Sequence, residues 1–227
     1  MHIEPGVVDG AKIVLSYATA AASLGLVGKM AVDTVREHGS IAAAALRSVA
    51  TTALVFTFFE VFPHEAVGVS EVHLILGSTL FLVFGAGPAA IGLVLGLLLQ
   101  GVFFAPFDLP QYGMNITTLI VPLFAMAALA KRIIPARTAY KDVSYMQALT
   151  LSVTFQGGIV AWVAFWVVYG HGFGAENLAS VATFAAAYMT VVVVEPLIDL
   201  GVLAIAKNLH GLGGATLFQN RLYHANA

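Results

Sequence analysis

The sequence predicts an all-α integral membrane protein of about seven helices, one of them short and buried. Three observations carry this prediction: the composition, a series of apolar segments, and the charge of the loops between them. Of the 227 residues, 59% are hydrophobic and only 10% are charged, and the mean hydropathy is +0.91. Soluble domains carry about 25% charged residues, so this chain cannot cover a water-facing surface and a soluble globular enzyme is excluded.

The composition also limits the partners and cofactors. The formal net charge is −2 at pH 7, which leaves no basic face for nucleic acid. Cysteine is absent, so disulfides, iron–sulfur clusters and thiolate metal sites are excluded. The 22 glycines suit membrane helices, which pack closely through small residues. We expect one transmembrane domain over residues 1–227.

The apolar segments are separated by residues that break helices. Pro63 follows the second segment, Gly85 to Pro88 separates the third from the fourth, and Pro135 stops the fifth. A helix needs about 20 apolar residues to cross a bilayer, and the third segment has only about 14, so we expect it to be a short buried helix. The seven segments cover about residues 10–29, 41–62, 72–85, 88–105, 114–134, 144–170 and 178–206.

The loop charges predict which ends of the segments share a side of the membrane. Lysines and arginines cluster after the first, fifth and seventh segments, whereas the loops at about 63–71, 106–113 and 171–177 contain none. Because cytoplasmic loops are enriched in these cations, we expect the N-terminus outside the cytoplasm and the C-terminus inside it. The cationic regions hold Lys29 and Arg36, then Lys131, Arg132, Arg137 and Lys141, and finally Lys207 and Arg221; the opposite loops hold Glu65, Glu71, Asp108 and Glu176.

The first residues form a potential metal chelate. The first residues lack the basic region with which a signal peptide begins, and Glu4 adds a negative charge there. We therefore expect no signal peptide and a mature N-terminus at Met1. The α-amine, the His2 amide nitrogen and the His2 imidazole can close fused rings on a metal that prefers planar nitrogen, such as Cu(II), Ni(II) or, when enforced, Co(II). Pro5 and Gly6 would let this strand fold inward. A chance Met-His start is the alternative.

One further imidazole would complete the plane, and His73 is the candidate. It opens the short third segment at the same predicted end as His2. A hydrogen-bonded structural histidine is the alternative. Gln100 and Asn115 fall at a similar depth and could hold the ligand in one tautomer, although hydrogen bonds between helices would explain them equally well. We expect His64 and His171 to be solvated and idle, as the loop positions of both suggest.

Two acids interrupt the last apolar segment. Glu195 precedes Pro196 in mid-span and could be a proton relay, a partner for Arg47 or a protonated acid; Asp199 follows one helical turn later. Signatures of hydrolysis are missing. His64-Glu65 begins like a zinc-protease helix but lacks the second histidine, and no phosphate-binding Gly-Lys-Ser/Thr loop occurs, so this chain is not expected to hydrolyse ATP itself.

An ordered set of short motifs resembles one known family. The set comprises Met1-His2-Ile3, Val69-Ser70-Glu71-Val72-His73-Leu74, Phe84-Gly85-Ala86-Gly87-Pro88, Gln100 and Gly113-Met114-Asn115. Their order resembles the CbiM and NikM family, the cobalt- and nickel-specific membrane subunits of energy-coupling factor (ECF) transporters. The similarity spans roughly residues 1–130. The chain departs from the family pattern at Glu4-Pro5-Gly6, at Glu71-Val72 before the histidine, and at Asp199-Leu200.

The resemblance implies a seven-helix fold whose N-terminus inserts into the bundle and binds Co(II) or Ni(II). By the family pattern, the donors are the Met1 amine, the His2 amide and imidazole, and His73. The partners it implies are a membrane coupling (T) subunit, two cytoplasmic ATPase subunits and, as an optional addition, a small accessory membrane subunit. The location it implies is a bacterial or archaeal plasma membrane.

We therefore predict a substrate-specificity subunit for uptake of Co(II) or Ni(II), which is not itself an enzyme. The metal remains open, because the same four nitrogens suit both ions. One alternative is an ion-coupled secondary transporter that uses Glu60, Glu195 and Asp199 as proton sites. Another is an intramembrane metalloenzyme, which is disfavoured because no helix carries the paired histidines and glutamate that a hydrolase needs.

Overall fold

The computed structural model describes residues 3–38, 40–209 and 214–225, and within these ranges it is an all-α bundle. Six helices are long and apolar enough to cross a membrane, and a seventh, α3, is short. The predicted fold class is thus confirmed. The helices are α1 (Val14–His38), α2 (Ile41–Glu60), α3 (Gly77–Phe84), α4 (Ala86–Phe103), α5 (Tyr112–Ile133), α6 (Tyr145–His171), α7 (Ala175–Asn208) and α8 (Asn220–Tyr223).

Serine side chains cap the N-termini of two of the long helices. The Ser40 hydroxyl accepts a hydrogen bond from the Ala43 N–H at 3.1 Å at the start of α2. At the start of α6, Ser144 and Gln147 form a reciprocal capping box. Both arrangements satisfy backbone N–H groups that have no partner inside the helix, which fixes where the chain re-enters the bundle.

Glycines allow α2 and α4 to pack closely along their length. A Cβ atom on Gly92 would lie 2.5 Å from Thr51 Oγ1, and one on Gly96 would lie 2.6 Å from Val55 Cγ1. Since residues 51 and 55 meet residues 92 and 96 in order, the two helices run in the same direction. Because α2 and α4 run in the same direction, the chain must return to the other end of the bundle between them. The short helix α3 lies in this returning segment.

The short helix α3 is buried, as its length predicted. Every residue from Gly77 to Phe84 except Thr79 is buried. Leu76, just before it, adopts a left-handed conformation with φ of 55°, which turns the chain into the helix. A Cβ on Gly77 would lie 2.2 Å from Phe155 Cε1, so the first turn of α3 packs directly on α6.

The C-terminal segment closes the other end of α3. The Gln219 side chain donates from Nε2 to the Phe81 and Leu82 carbonyls at 2.6 and 2.7 Å. The backbone N–H of Gln219 donates to the Val83 carbonyl at 3.0 Å. These carbonyls end a helix and would otherwise be buried without donors. We call the end of the bundle where residues 214–225 lie the tail end.

A small β-hairpin lies at the opposite end, which we call the hairpin end. Strands β1 (Glu65–Val67) and β2 (Ser70–Val72) pair antiparallel, with Glu65 opposite Val72. The turn contains Gly68, whose φ is 64°, and it lies against α7: a Cβ there would be 2.8 Å from the Ser180 carbonyl oxygen. This hairpin was not predicted from the sequence.

Candidate metal centre

The N-terminal segment, residues 3–8, enters the bundle beside the hairpin, and we call it the N-terminal strand. Ile3 forms an antiparallel bridge with Ser70 of β2, and the Glu4 N–H donates to the Val69 carbonyl at 3.2 Å. The Ile3 side chain is fully buried, and its N–H donates to Asn115 Oδ1 of α5 at 3.0 Å. Two elements, the hairpin and α5, therefore fix the backbone at residues 3 and 4.

Contacts with the end of α6 hold the next part of the strand. His171 Nε2 lies 3.0 Å from the Gly6 carbonyl oxygen, so this histidine is not idle as we had expected. A Cβ on Gly170 would lie only 1.7 Å from the Val7 carbonyl oxygen, and only glycine permits this approach. Lys12 Nζ donates to the Gly170 carbonyl at 2.8 Å. The strand is thus packed between α5, α6 and the hairpin.

His73, the predicted ligand, is only 1% exposed and lies just after β2. Its Nε2 is 2.9 Å from Glu71 Oε2, and its ring packs on Phe59 with a centroid distance of 5.0 Å. A carboxylate can only accept a hydrogen bond, so Nε2 carries the proton and the lone pair of the neutral ring lies on Nδ1. The Glu71 carboxylate therefore sets which nitrogen of the His73 ring carries the proton.

His64 is a neighbour that the sequence did not predict. Its ring stacks on that of His73, with centroids 4.8 Å apart and an interplanar angle of 18°. The hairpin register explains this, because positions 64 and 73 come immediately outside the Glu65–Val72 pair and face each other. The local sequence does carry a signal for the hairpin. Gly68 and Val69 form a two-residue turn that contains glycine and follows Val67, a residue of high β propensity.

Carboxylates surround this part of the hairpin end. Burial raises the pKa of Glu4, and the nearby Glu71 carboxylate raises it further. Asp108, which is buried in the turn before α5, lies within electrostatic reach of both. Negative charge of this kind attracts a divalent cation arriving from water.

The described side chains do not make a complete metal site by themselves. Within residues 3–38, 40–209 and 214–225, no three His, Asp or Glu side chains converge closely enough to hold a metal ion. Met1 and His2, the predicted chelate, lie outside the described residues. Gln100 is buried, and its Oε1 accepts no hydrogen bond in the described structure. Asn115 holds the strand that follows His2.

The buried acids of α7 belong to a different cluster. Ser152 Oγ and Gln156 Nε2 donate to Glu195 Oε2 at 2.8 and 2.6 Å. Arg47, considered above as a partner for Glu195, donates instead to the Ala43 and Phe84 carbonyls at 3.2 and 3.4 Å. The acids of α7 are therefore held by neutral donors from α6 and, as described below, α3.

Comparisons with known proteins agree with this architecture. A family model described as the cobalt uptake substrate-specific transmembrane region, CbiM, matches residues 2–210. No curated protein matches the chain. The fold is similar to a crystal structure described as that of a transition metal transporter, with a TM-score of 0.67 and 18% sequence identity over 94% of this chain and 98% of that chain.

The family model covers most of the chain, including the N-terminal strand, the hairpin with His73 and all seven helices of the bundle. The protein is therefore a multi-pass membrane component of metal uptake, and it is not an enzyme. The chain belongs to the CbiM family of cobalt uptake substrate-specific transmembrane regions.

Proposed function

We propose that this protein is the substrate-binding membrane subunit of an ECF-type transporter for Co(II) or Ni(II). The metal is held by the Met1 amine, the His2 amide and imidazole, and His73. The observation that carries the proposal is the bridge between Ile3 and Ser70, because it brings the start of the chain to the strand that leads to His73.

The direction of this bridge supports the chelate. In an antiparallel pair, the chain before Ile3 is expected on the side where β2 continues towards Val72 and His73. Consecutive Cα atoms are about 3.8 Å apart, and we propose that the two residues before Ile3 span the distance to the imidazole. Asn115 supports the same arrangement by holding the Ile3 N–H at 3.0 Å.

The contact between Glu71 and His73 supports the choice of ligand. Histidines that bind metals usually donate the other ring N–H to a carboxylate, which fixes the ring and makes the ligand nitrogen more basic. With Nε2 held by Glu71 at 2.9 Å, the donor to the metal is Nδ1. A ligand set of four nitrogens suits Co(II) and Ni(II) alike, so the proposed cargo is Co(II) or Ni(II).

The charge pattern supports an orientation and a set of partners. We propose that the hairpin end faces outwards and receives the metal, and that the tail end faces the cytoplasm of a bacterium or archaeon. Three cations, Lys29, Lys131 and Arg221, and two acids, Asp33 and Glu37, line one cavity of about 530 Å³ at the tail end. The lysines and arginine there agree with the enrichment of cations in cytoplasmic loops. The partners are a membrane coupling subunit, two ATPases and, as an optional addition, a small accessory membrane subunit.

The test is metal uptake by cells and cobalt binding by the purified chain. His2→Ala, His73→Ala and an extension of residues before Met1 should each abolish high-affinity cobalt binding, because each removes a donor. His224→Ala, at an exposed position of the tail, is the control and should bind as the unaltered protein does. Full uptake by the extended and His2→Ala forms would overturn the chelate.

The buried acids Glu195 and Asp199 favour one alternative, a proton-coupled secondary transporter, because carboxylates at membrane depth often carry protons. Such a transporter would keep its uptake when the partner ATPases are deleted and lose it when the proton gradient collapses. The proposed ECF subunit should show the reverse.

A further inference from the structure

Two acids of α7 form a densely hydrogen-bonded cluster within the bundle. Glu195 and Asp199 are one helical turn apart, and both are fully buried. Each carboxylate oxygen accepts at least one hydrogen bond. The donors are Ser78 N–H to Glu195 Oε1 (3.3 Å), Ser152 Oγ and Gln156 Nε2 to Glu195 Oε2 (2.8 and 2.6 Å), Ser78 Oγ to Asp199 Oδ2 (2.7 Å) and Thr79 Oγ1 to Asp199 Oδ1 (2.5 Å).

Three of these five bonds come from the first turn of α3. The N-terminus of a helix carries unpaired N–H groups and partial positive charge, so a carboxylate is well suited to hold it. The Phe155 ring of α6 packs on the same turn from another side, and it leaves no room for a side chain at Gly77. The start of α3 is therefore fixed to α6 and α7 at the depth of the bundle interior.

The segment that carries His73 is anchored at one end by the first turn of α3. Residues 73–76 form neither helix nor strand, so they take their position from the hairpin before them and from α3 after them. His73, Ile75 and Leu76 are buried, and Leu76 has a φ of 55°, which leaves the segment little freedom to adjust. Ser78 follows His73 by five residues, a span of at most about 18 Å, so only a short stretch of backbone separates the turn held by the acids from the histidine.

We propose that Glu195 and Asp199 are positioning residues for metal binding: by holding the first turn of α3, they set the place of the His73 imidazole in the metal site. This inference rests on the proposed function, since it needs His73 to be a ligand. It explains why two acids remain at membrane depth, where burying a charge is costly and apolar residues would pack more cheaply. Rings that bind a metal must be held tightly, and supporting contacts of this kind commonly change metal affinity.

The experiment compares two substitutions of Thr79 in the purified full chain. Thr79→Val keeps the shape of the side chain but removes the donor to Asp199, whereas Thr79→Ser keeps the donor. We expect Thr79→Val to weaken cobalt binding about tenfold, as other supporting contacts do, and Thr79→Ser to restore it. Asp199→Asn should weaken binding as well. Titration calorimetry gives the affinity, and the visible absorption of bound Co(II) reports the geometry of its ligands.

A matched control removes a buried hydrogen bond elsewhere. Thr51 Oγ1 of α2 donates to the Pro88 carbonyl of α4 at 2.6 Å. Thr51→Val should therefore lower thermal stability as Thr79→Val does, but leave cobalt affinity and the absorption spectrum unchanged. This comparison separates a positioning role from a general loss of stability.

Each outcome decides the inference. If folded Thr79→Val binds cobalt with unchanged affinity and spectrum, the acids are only structural and the inference is overturned. If Asp199→Asn does not fold, the Thr79 pair still gives the answer. Failure of the unaltered protein to bind Co(II) or Ni(II) would remove the proposed function and this inference together, whereas binding that is lost in His73→Ala but retained in Thr79→Val would remove the inference alone.

Discussion

The Glu71 carboxylate holds one nitrogen of a buried imidazole and thereby decides which nitrogen can bind a metal. Glu71 precedes His73 by two residues at the end of β2, and its Oε2 lies 2.9 Å from the Nε2 of that ring. A carboxylate that accepts from Nε2 also makes Nδ1 more basic. The strength of metal binding should therefore depend on the charge at position 71.

Glu71→Gln should weaken cobalt binding by about 10- to 100-fold, the usual effect of removing a carboxylate that supports a histidine ligand. Calorimetry on the purified chain measures it. Glu65→Gln is the matched control, because Glu65 lies on the facing strand with an exposed side chain. An equal loss in both variants would mean that the general negative charge of the hairpin end, rather than the hydrogen bond, sets the affinity.

Single residues could be predicted where one side chain has an unusual place in the apolar pattern. His73 was identified because it opens a segment too short to span. The stacking of His64 on it could not be predicted, since it depends on the register of a hairpin whose strands have only three residues each. The contact between His171 and Gly6 joins positions 165 apart in sequence and leaves no local signal.

At the scale of elements, the N-terminal strand depends on a close approach to α6. The Val7 carbonyl lies over Gly170, where a Cβ would be 1.7 Å from the oxygen. The obstructing atom belongs to the backbone, so a side chain at position 170 would displace the strand rather than a flexible group. The strand carries the proposed chelate, and its displacement would move the ligands.

Gly170→Ala should therefore reduce cobalt binding on the order of tenfold or more, because metal ligands must be held within about 0.5 Å of their productive positions. Gly157→Ala in the same helix is the control, since a Cβ there has no atom within 4 Å. It should leave binding unchanged, because alanine favours the helix over glycine. Unchanged cobalt binding by Gly170→Ala would show that the strand can shift without harm to the site.

The long helices could be predicted, whereas the elements that build the site could not. Hydropathy and helix breakers placed all six spans, because a bilayer demands long apolar runs. The hairpin has a local turn signal at Gly68, but its place against α7 does not follow from that signal. The segment around Gln219 is short, and its contacts with α3 are not encoded in the local sequence. The short helix α3 was identified by its length, but the acids that hold it lie more than a hundred residues away.

At the scale of the whole molecule, the charges divide the bundle into two unlike ends. Lys29, Lys131 and Arg221 come from distant parts of the chain and meet around one cavity at the tail end. Glu4, Glu71 and Asp108 meet at the hairpin end. In the proposed orientation, a metal from outside would approach the acidic hairpin end, and the proposed ATPase partners would work at the tail end.

Labelling of single cysteines tests this orientation, and the chain is suited to it because it contains no native cysteine. Ala66→Cys in the hairpin and Ala136→Cys in the loop after α5 are matched substitutions at exposed positions of the two ends. Since cations mark the cytoplasmic side, a maleimide that cannot cross membranes should label Ala66→Cys in intact cells and Ala136→Cys only after the membrane is opened. The unaltered protein should remain unlabelled in both conditions. The opposite pattern would place the proposed metal site on the cytoplasmic side, where it could not receive a metal from outside.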